Sequence, residues 1–191
     1  MEDFINQYFK NLNDVLDNIS QKKIREFFNI LLDAYQKERQ VFVMGNGGSA
    51  STASHFACDI NKGVSQNFKK KFKVICLNDN IPTMMAYAND VGYDVIFKES
   101  LSNFLKTDDI VIGISGSGNS TNVLNAIAYA NEKSAVTVGI SGFGGGKLLD
   151  IAQKHILIPS DDMQIVEDLH MIIVHLAMKW LSKSLKNNGD N

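Results

Sequence analysis

The chain has 191 residues, 45% of them hydrophobic and 21% charged, with a formal net charge of −2. That length and balance suit one domain, 1–191, able to bury a full core, and exclude the positive excess of a nucleic-acid-binding protein and any apolar run near the ~18 residues of a membrane span. Neither nucleic acid nor membrane is expected as a partner, and the acidic start, MEDFINQYF, argues for a cytoplasmic protein.

Apolar residues from Phe4 to Ala34 recur at helical spacing and predict two helices within 1–38, broken near NISQKK. The texture changes between 39 and 160. QVFVMG (40–45), FKVICL (72–77), DIVIGIS (109–115), AVTVGIS (135–141) and HILIP (155–159) are short β-rich runs without clean alternation, as strands buried on both faces are. Helical patterns fill the gaps at about 48–61, 82–88, 94–105, 119–132 and 146–153, and a long last helix is expected within 161–186. The alternation predicts an α/β fold: a single doubly wound five-stranded parallel sheet flanked by helices.

Pro82 falls at an expected helix start and Pro159 at a strand end, so neither interrupts an element. Lys69, Lys70, Lys71 and Lys73 read as a solvated loop, Cys58 and Cys76 as buried thiols with no CxxC pairing, and the tail KSLKNNGDN as frayed. The last helix is apolar almost all round, from Val166 through Ile172 and Leu176 to Leu181. One sheet face cannot cover such a helix. The N- and C-terminal helices are therefore expected to form an oligomeric bundle.

Two strands end alike. Gly45, Asn46, Gly47, Gly48 and Ser49 follow the first, and Ser115, Gly116, Ser117, Gly118, Asn119 and Ser120 follow the third. Glycines let the backbone approach a ligand, and the free N–H groups of a helix start, with the hydroxyls, donate to an anion such as phosphate. A helix cap with a glycine turn is the plainer explanation of either loop alone. Gly45-x-Gly47-x-x-Ala50 also matches a dinucleotide fingerprint, but its nearest acidic partner, Asp79, lies 29 residues beyond Ala50 where about 20 are usual, and no P-loop lysine follows either turn. No nucleotide cofactor is expected.

His55 and Asp59 stand one turn apart on the helix after the first loop; Glu167 and His175 share a stripe of the last. Two helices thus each offer a carboxylate and an imidazole, a combination suited to proton transfer at carbon or to a divalent metal. An i, i+4 helix contact and a core histidine are the structural alternatives. His155 and His170 lack such company and read as structural.

With these residues in view, the chain resembles the sugar isomerase (SIS) domain family, of the phosphoheptose isomerase type, through GNGGSAS…HF (45–56), AND-GYD (88–94), GISGSGNS (113–120), GGGKL (144–148) and VEDLHMIIVH (166–175). The resemblance implies a flavodoxin-like SIS fold and a homotetramer with its helices packed centrally. It implies an aldose–ketose isomerase that converts sedoheptulose 7-phosphate to D-glycero-D-manno-heptose 7-phosphate through an enediol, supplying heptose for lipopolysaccharide or capsule. A phosphate would be held by Ser49, Ser115, Ser117 and Ser120, beside Gly47, Gly48 and Gly116, and the sugar by Asn46, Asp90 and Glu167. Asp59 would be the base and His175 the acid, with Zn2+ at His55, Asp59, Glu167 and His175. The family usually carries Glu at position 59, Gln at 167, Thr at 116 and Asp at 164, where this chain has Asp59, Glu167, Gly116 and Gln164. The alternative within the family is a non-catalytic binding or protein-interaction protein of the replication-initiator-associating type.

Overall fold

A computed structural model describes residues 1–187. Helices α1 (Glu2–Asn18) and α2 (Gln21–Gln36) come first, and the predicted break falls at Ile19 and Ser20. Ser20 starts the second helix: its hydroxyl accepts the Lys23 backbone N–H at 3.4 Å, one of the donors that a helix start leaves free. Strands β1 (Gln40–Gly45), β2 (Lys73–Cys76), β3 (Ile110–Ser115), β4 (Val136–Ser141) and β5 (Lys154–Leu157) pair in parallel in the order β2-β1-β3-β4-β5. Helices α3 (Gly48–Cys58), α4 (Ile81–Asp90), α5 (Ile96–Ser102), α6 (Thr121–Glu132), α7 (Gly146–Ile151) and α8 (Met163–Asn187) connect and cover them.

Both sheet faces are covered. Val41 and Val43 join Phe27, Leu31, Phe56 and Leu169 in one core, while Phe42 and Met44 join Phe97, Leu101, Val123 and Ile127 in the other. Period-two alternation therefore sorts apolar residues between two cores, which is why the strands read as continuous apolar runs.

The helix after β1 changes character where the sequence predicts it to continue to 61. From Asp59 to Val64 it is a π-helix, followed by a 3-10 turn at Ser65–Asn67. Asn61, inside the wide segment, exchanges two hydrogen bonds with the backbone of Val74, at 2.7 and 3.1 Å. Those bonds close part of the free outer edge of β2. The helix predicted over 94–105 is shorter, a 3-10 turn at Tyr93–Val95 and then α5, because Leu101 already accepts the Phe104 and Leu105 N–H groups that end it.

Three local expectations are corrected. Lys70, Lys71 and Lys73 are not simply solvated; their Nζ atoms bond to the carbonyls of Gln36, Ser65 and Glu38 at 2.7, 2.9 and 3.3 Å, at or near helix ends where unpaired carbonyls attract cations. Cys58 is exposed on the outer side of α3, and only Cys76 is buried. The tail is helical to Asn187, anchored by fully buried Leu185; residues 188–191 lie outside the described ones.

α8 lies over the carboxyl ends of three strands. Val166 fills the space above Gly142, Met163 that above Gly116, and the Glu167 carboxylate that above Gly48, so a Cβ at any of these glycines would collide with α8. The opposite side of α8 is only partly covered: Leu176 is 44% exposed and Ile172 and Trp180 are half-buried. α1 buries none of its residues. The hydrogen bond from Tyr8 to Asp168, at 2.7 Å, ties it to α8 and, with the nearby carboxylates and some burial, pushes the phenol up to about 12.

Candidate active site

β1 and β3 are neighbours, and the chain leaves them toward opposite sides of the sheet, to β2 and to β4. A crevice opens at such a switch point, and both predicted loops stand on its rim.

The first loop is held at its base by Asn78, whose side chain bonds both the N–H and the carbonyl of Gly45, at 3.2 and 2.9 Å. Asn46 forms a reciprocal amide pair with Asn122 and accepts the Tyr93 hydroxyl at 2.8 Å. Gly47 and Gly48 are exposed, whereas Ser49 is buried. No side chain caps α3, leaving its start to an external acceptor.

In the second loop the buried Ser115 hydroxyl lies 3.0 Å from that of Ser120, and exposed Ser117 accepts the Asn119 N–H at 3.2 Å. Gly118 has φ 67 and packs so closely on the Gly145 carbonyl that any side chain would overlap it. The Leu148 N–H bonds the Gly118 carbonyl at 2.9 Å and the Lys147 N–H bonds Asn119 Oδ1 at 3.1 Å, so the first turn of α7 braces this loop from behind. At Gly116 the space beside the backbone holds the Met163 thioether.

Further along α3, the Nε2 atoms of His55 and His175 are 3.0 Å apart, and Asp59 Oδ2 lies 3.4 Å from the first and 3.9 Å from the second. Asp59 is one methylene shorter in reach than Glu, yet its carboxylate faces both rings. Ligands bound to zinc at 2.0–2.2 Å in a tetrahedron stand about 3.4 Å apart, so the three atoms fit three corners of a metal site. Among the described residues, Glu167 does not join them. α3 and α8 run alongside each other, with Glu167 against Gly48 and His175 against His55, which sets Glu167 beside the first loop instead. Asp90 ends α4 as an exposed residue and accepts the side-chain N–H of its neighbour Asn89 at 2.7 Å.

The sequence alone did not single out Tyr93, Asn122 or Met163. Tyr93 sits within the AND-GYD segment, where a side-chain hydroxyl one residue after a glycine was the available signal; the other two touch the site only through the fold. His170 is 1% exposed, and burial pushes it down to about 4, partly offset by the Ser141 backbone; it is a core histidine, as read. His155 is half-buried on β5, and burial lowers it as well. Asp79, the alternative ribose acceptor, lines a different cavity of about 410 Å³ with Cys58 and Cys76.

Fold and side chains together define an α/β protein whose switch-point crevice offers donors to an anion, with imidazoles and a carboxylate further along α3. A family model described as SIS domain matches residues 7–142. The phosphoheptose isomerase of Geobacter metallireducens is 34% identical over 163 residues, 85% of this chain and 86% of that protein. That of Syntrophotalea carbinolica is 33% identical over 184 residues, 95% of this chain and 93% of the other. The solved phosphoheptose isomerase GmhA from Neisseria gonorrhoeae superposes with a TM-score of 0.87 at 21% identity, over 95% of this chain and 98% of its own. A phosphoheptose isomerase from Francisella tularensis gives 0.88 at 24%, over 95% and 97%. The last two show the fold. The chain belongs to the SIS-domain family and, within it, to the phosphoheptose isomerases.

Proposed function

We propose that the protein is an aldose–ketose isomerase that interconverts sedoheptulose 7-phosphate and D-glycero-D-manno-heptose 7-phosphate. The observation that carries this reading is the convergence of His55, Asp59 and His175 on the side of α3 that also meets the phosphate-type loops through α8. Gly48 and His55 are seven residues apart, about 10 Å along a helix. An extended chain advances about 1.2 Å per bond, so the eight bonds from C1 to the phosphorus of a heptose 7-phosphate cover a similar span.

In this reading Ser49, Ser115, Ser117 and Ser120, with the backbone at Gly47, Gly48 and Gly116, hold the phosphate, Asn46 contacts the substrate from the rim of the same crevice, and Asp90 and Glu167 face the sugar. Asp59 takes the proton from C1; the C–H electron pair forms the C1–C2 double bond, and the carbonyl pair moves onto O2, which His175 protonates. Return of the carbon proton to C2, with loss of the O1 proton, gives the aldose. A zinc ion held by His55, Asp59 and His175 would supply positive charge to the oxygens of the reacting sugar. The decisive experiment incubates the protein with sedoheptulose 7-phosphate in deuterated water. Deuterium at C2 of the aldose is expected, and its absence with this and related ketose phosphates overturns the reading.

The proposal extends to the assembly and the compartment. A groove of about 480 Å³ lined by Leu16, Ile24, Phe28, Ile172, Leu176 and Trp180 lies between α1, α2 and α8, and α1 also exposes Phe4 and Phe9. Exposed apolar surface on these helices supports a homotetramer in which the terminal helices bury one another. Residues 1–191 act as one domain in the cytoplasm, where the sugar phosphate is available.

A further inference from the structure

The direction in which one amide faces follows from a chain of hydrogen bonds at the switch point. The Val123 N–H belongs to the first turn of α6, whose donors have no partner within the helix. Asn122 Oδ1 accepts it at 2.9 Å, which fixes the Asn122 amide. The same oxygen takes an N–H of Asn46 at 2.8 Å, and Asn122 Nδ2 donates back to Asn46 Oδ1 at 2.9 Å. The Tyr93 hydroxyl donates to Asn46 Oδ1 as well, at 2.8 Å.

A carbonyl oxygen has two acceptor sites and an amide nitrogen two protons. Both acceptor sites of Asn46 are filled, and one of its protons is used. Among the described residues the other N–H has no partner, and Asn46 is half-buried on the rim of the crevice. Turning the amide over would oppose two oxygens and two N–H groups and lose both bonds to Asn122; the Tyr93 hydroxyl can accept as well as donate, so Asn122 sets the direction of the amide and Tyr93 occupies its remaining acceptor site. Asn46 is thus left as a donor only.

We propose that Tyr93 and Asn122 are positioning residues that hold Asn46 as an N–H donor to the substrate phosphate. Two features favour the phosphate over the sugar hydroxyls. Asn122 stands two residues beyond Ser120, which places Asn46 at the anion end of the crevice; and a phosphate offers acceptors in several directions, so a fixed donor finds one without reorganising. Tyr93 reaches this point from the loop after α4, where Gly92 turns at φ 145, and its ring is 56% exposed. It acts as a strap from the far rim.

The ligand's identity rests on the isomerase reading; the donor geometry does not. Binding of glucitol 6-phosphate by titration calorimetry therefore accompanies the turnover assay. For Tyr93→Phe, kcat/KM for sedoheptulose 7-phosphate is expected to fall about tenfold, nearly all through KM, the size of one hydrogen bond to a charged group. Glucitol 6-phosphate should weaken by the same factor, whereas unphosphorylated glucitol should not respond. Asn46→Ala should cost about as much, and Tyr93→Phe in the Asn46→Ala background should cost nothing further. A Tyr93→Phe protein within twofold of wild type in KM and in glucitol 6-phosphate affinity, or additive losses in the double variant, would overturn the proposal. A wild-type protein that binds glucitol 6-phosphate with this Tyr93 dependence yet exchanges no deuterium would overturn the isomerase reading and leave the positioning role standing.

Discussion

His175 Nε2, on the last helix, lies 3.0 Å from His55 Nε2, on the helix that follows the first strand, with the rings inclined at 71°. Two imidazole nitrogens at that separation either share a hydrogen bond or face a common cation, and Asp59 Oδ2 at 3.4 Å from His55 adds a carboxylate oxygen to the same point.

Protein purified without a histidine tag is expected to carry about one zinc per chain. His55→Ala and His175→Ala should each lower the metal content at least tenfold by elemental analysis. Because Glu167 stands beside Gly48 and outside the three-residue group, Glu167→Gln should keep most of the metal. Equal metal in wild type and His55→Ala would refute the site.

Asp59→Asn keeps the size of the side chain and removes its basicity. Turnover should drop by about 10²- to 10⁴-fold, while glucitol 6-phosphate still binds. Loss of binding in step with turnover would instead assign Asp59 a structural part.

The two glycines of the second loop should respond differently to alanine. At Gly118 the new Cβ meets the Gly145 backbone and φ is 67, so nothing flexible relieves it; about 2 kcal/mol or more of stability should be lost. At Gly116 the obstacle is the end of the flexible Met163 side chain, and the loss should be about 1 kcal/mol or less, reduced further by Met163→Ala. Thermal unfolding of the three variants measures this.

His170 ties stability to pH. Its folded value of about 4 lies below the ordinary 6.5, so the unfolded chain binds the extra proton first. The contribution is therefore complete above pH 6.5 and is lost as pH falls toward 4, in total on the order of 3 kcal/mol. Denaturant unfolding of His170→Leu against wild type should show the wild type weakening more between those values; parallel curves would refute the assignment.

Leu176→Glu places a charge on the exposed side of α8, next to the apolar groove. Light scattering should show the wild type as a tetramer and this variant as smaller species, with each subunit still folded by circular dichroism.

Much of this was legible in the residues themselves. QVFVMG and DIVIGIS could only be strands covered on both sides, because their apolar runs leave no face for water, and the two glycine- and serine-rich turns after them had to lie at one edge once the sheet was parallel. Ser20 and Pro82 marked helix starts by local chemistry alone. The pairing of His55 with Asp59 also followed from helical spacing.

Other features depended on distant parts of the chain meeting. Spacing put Glu167 and His175 on one stripe of α8, but eight residues of helix separate them, so packing against α3 sent the imidazole to His55 and the carboxylate to Gly48. The lysines around the start of β2 looked simply solvated until the fold brought the carbonyls of Gln36, Glu38 and Ser65 to them. Asn46, Tyr93 and Asn122 lie far apart in sequence, and nothing local says how an amide is turned. A side chain's type is written in the sequence; its hydrogen-bond partner is chosen by whichever donors and acceptors the fold brings within 3 Å.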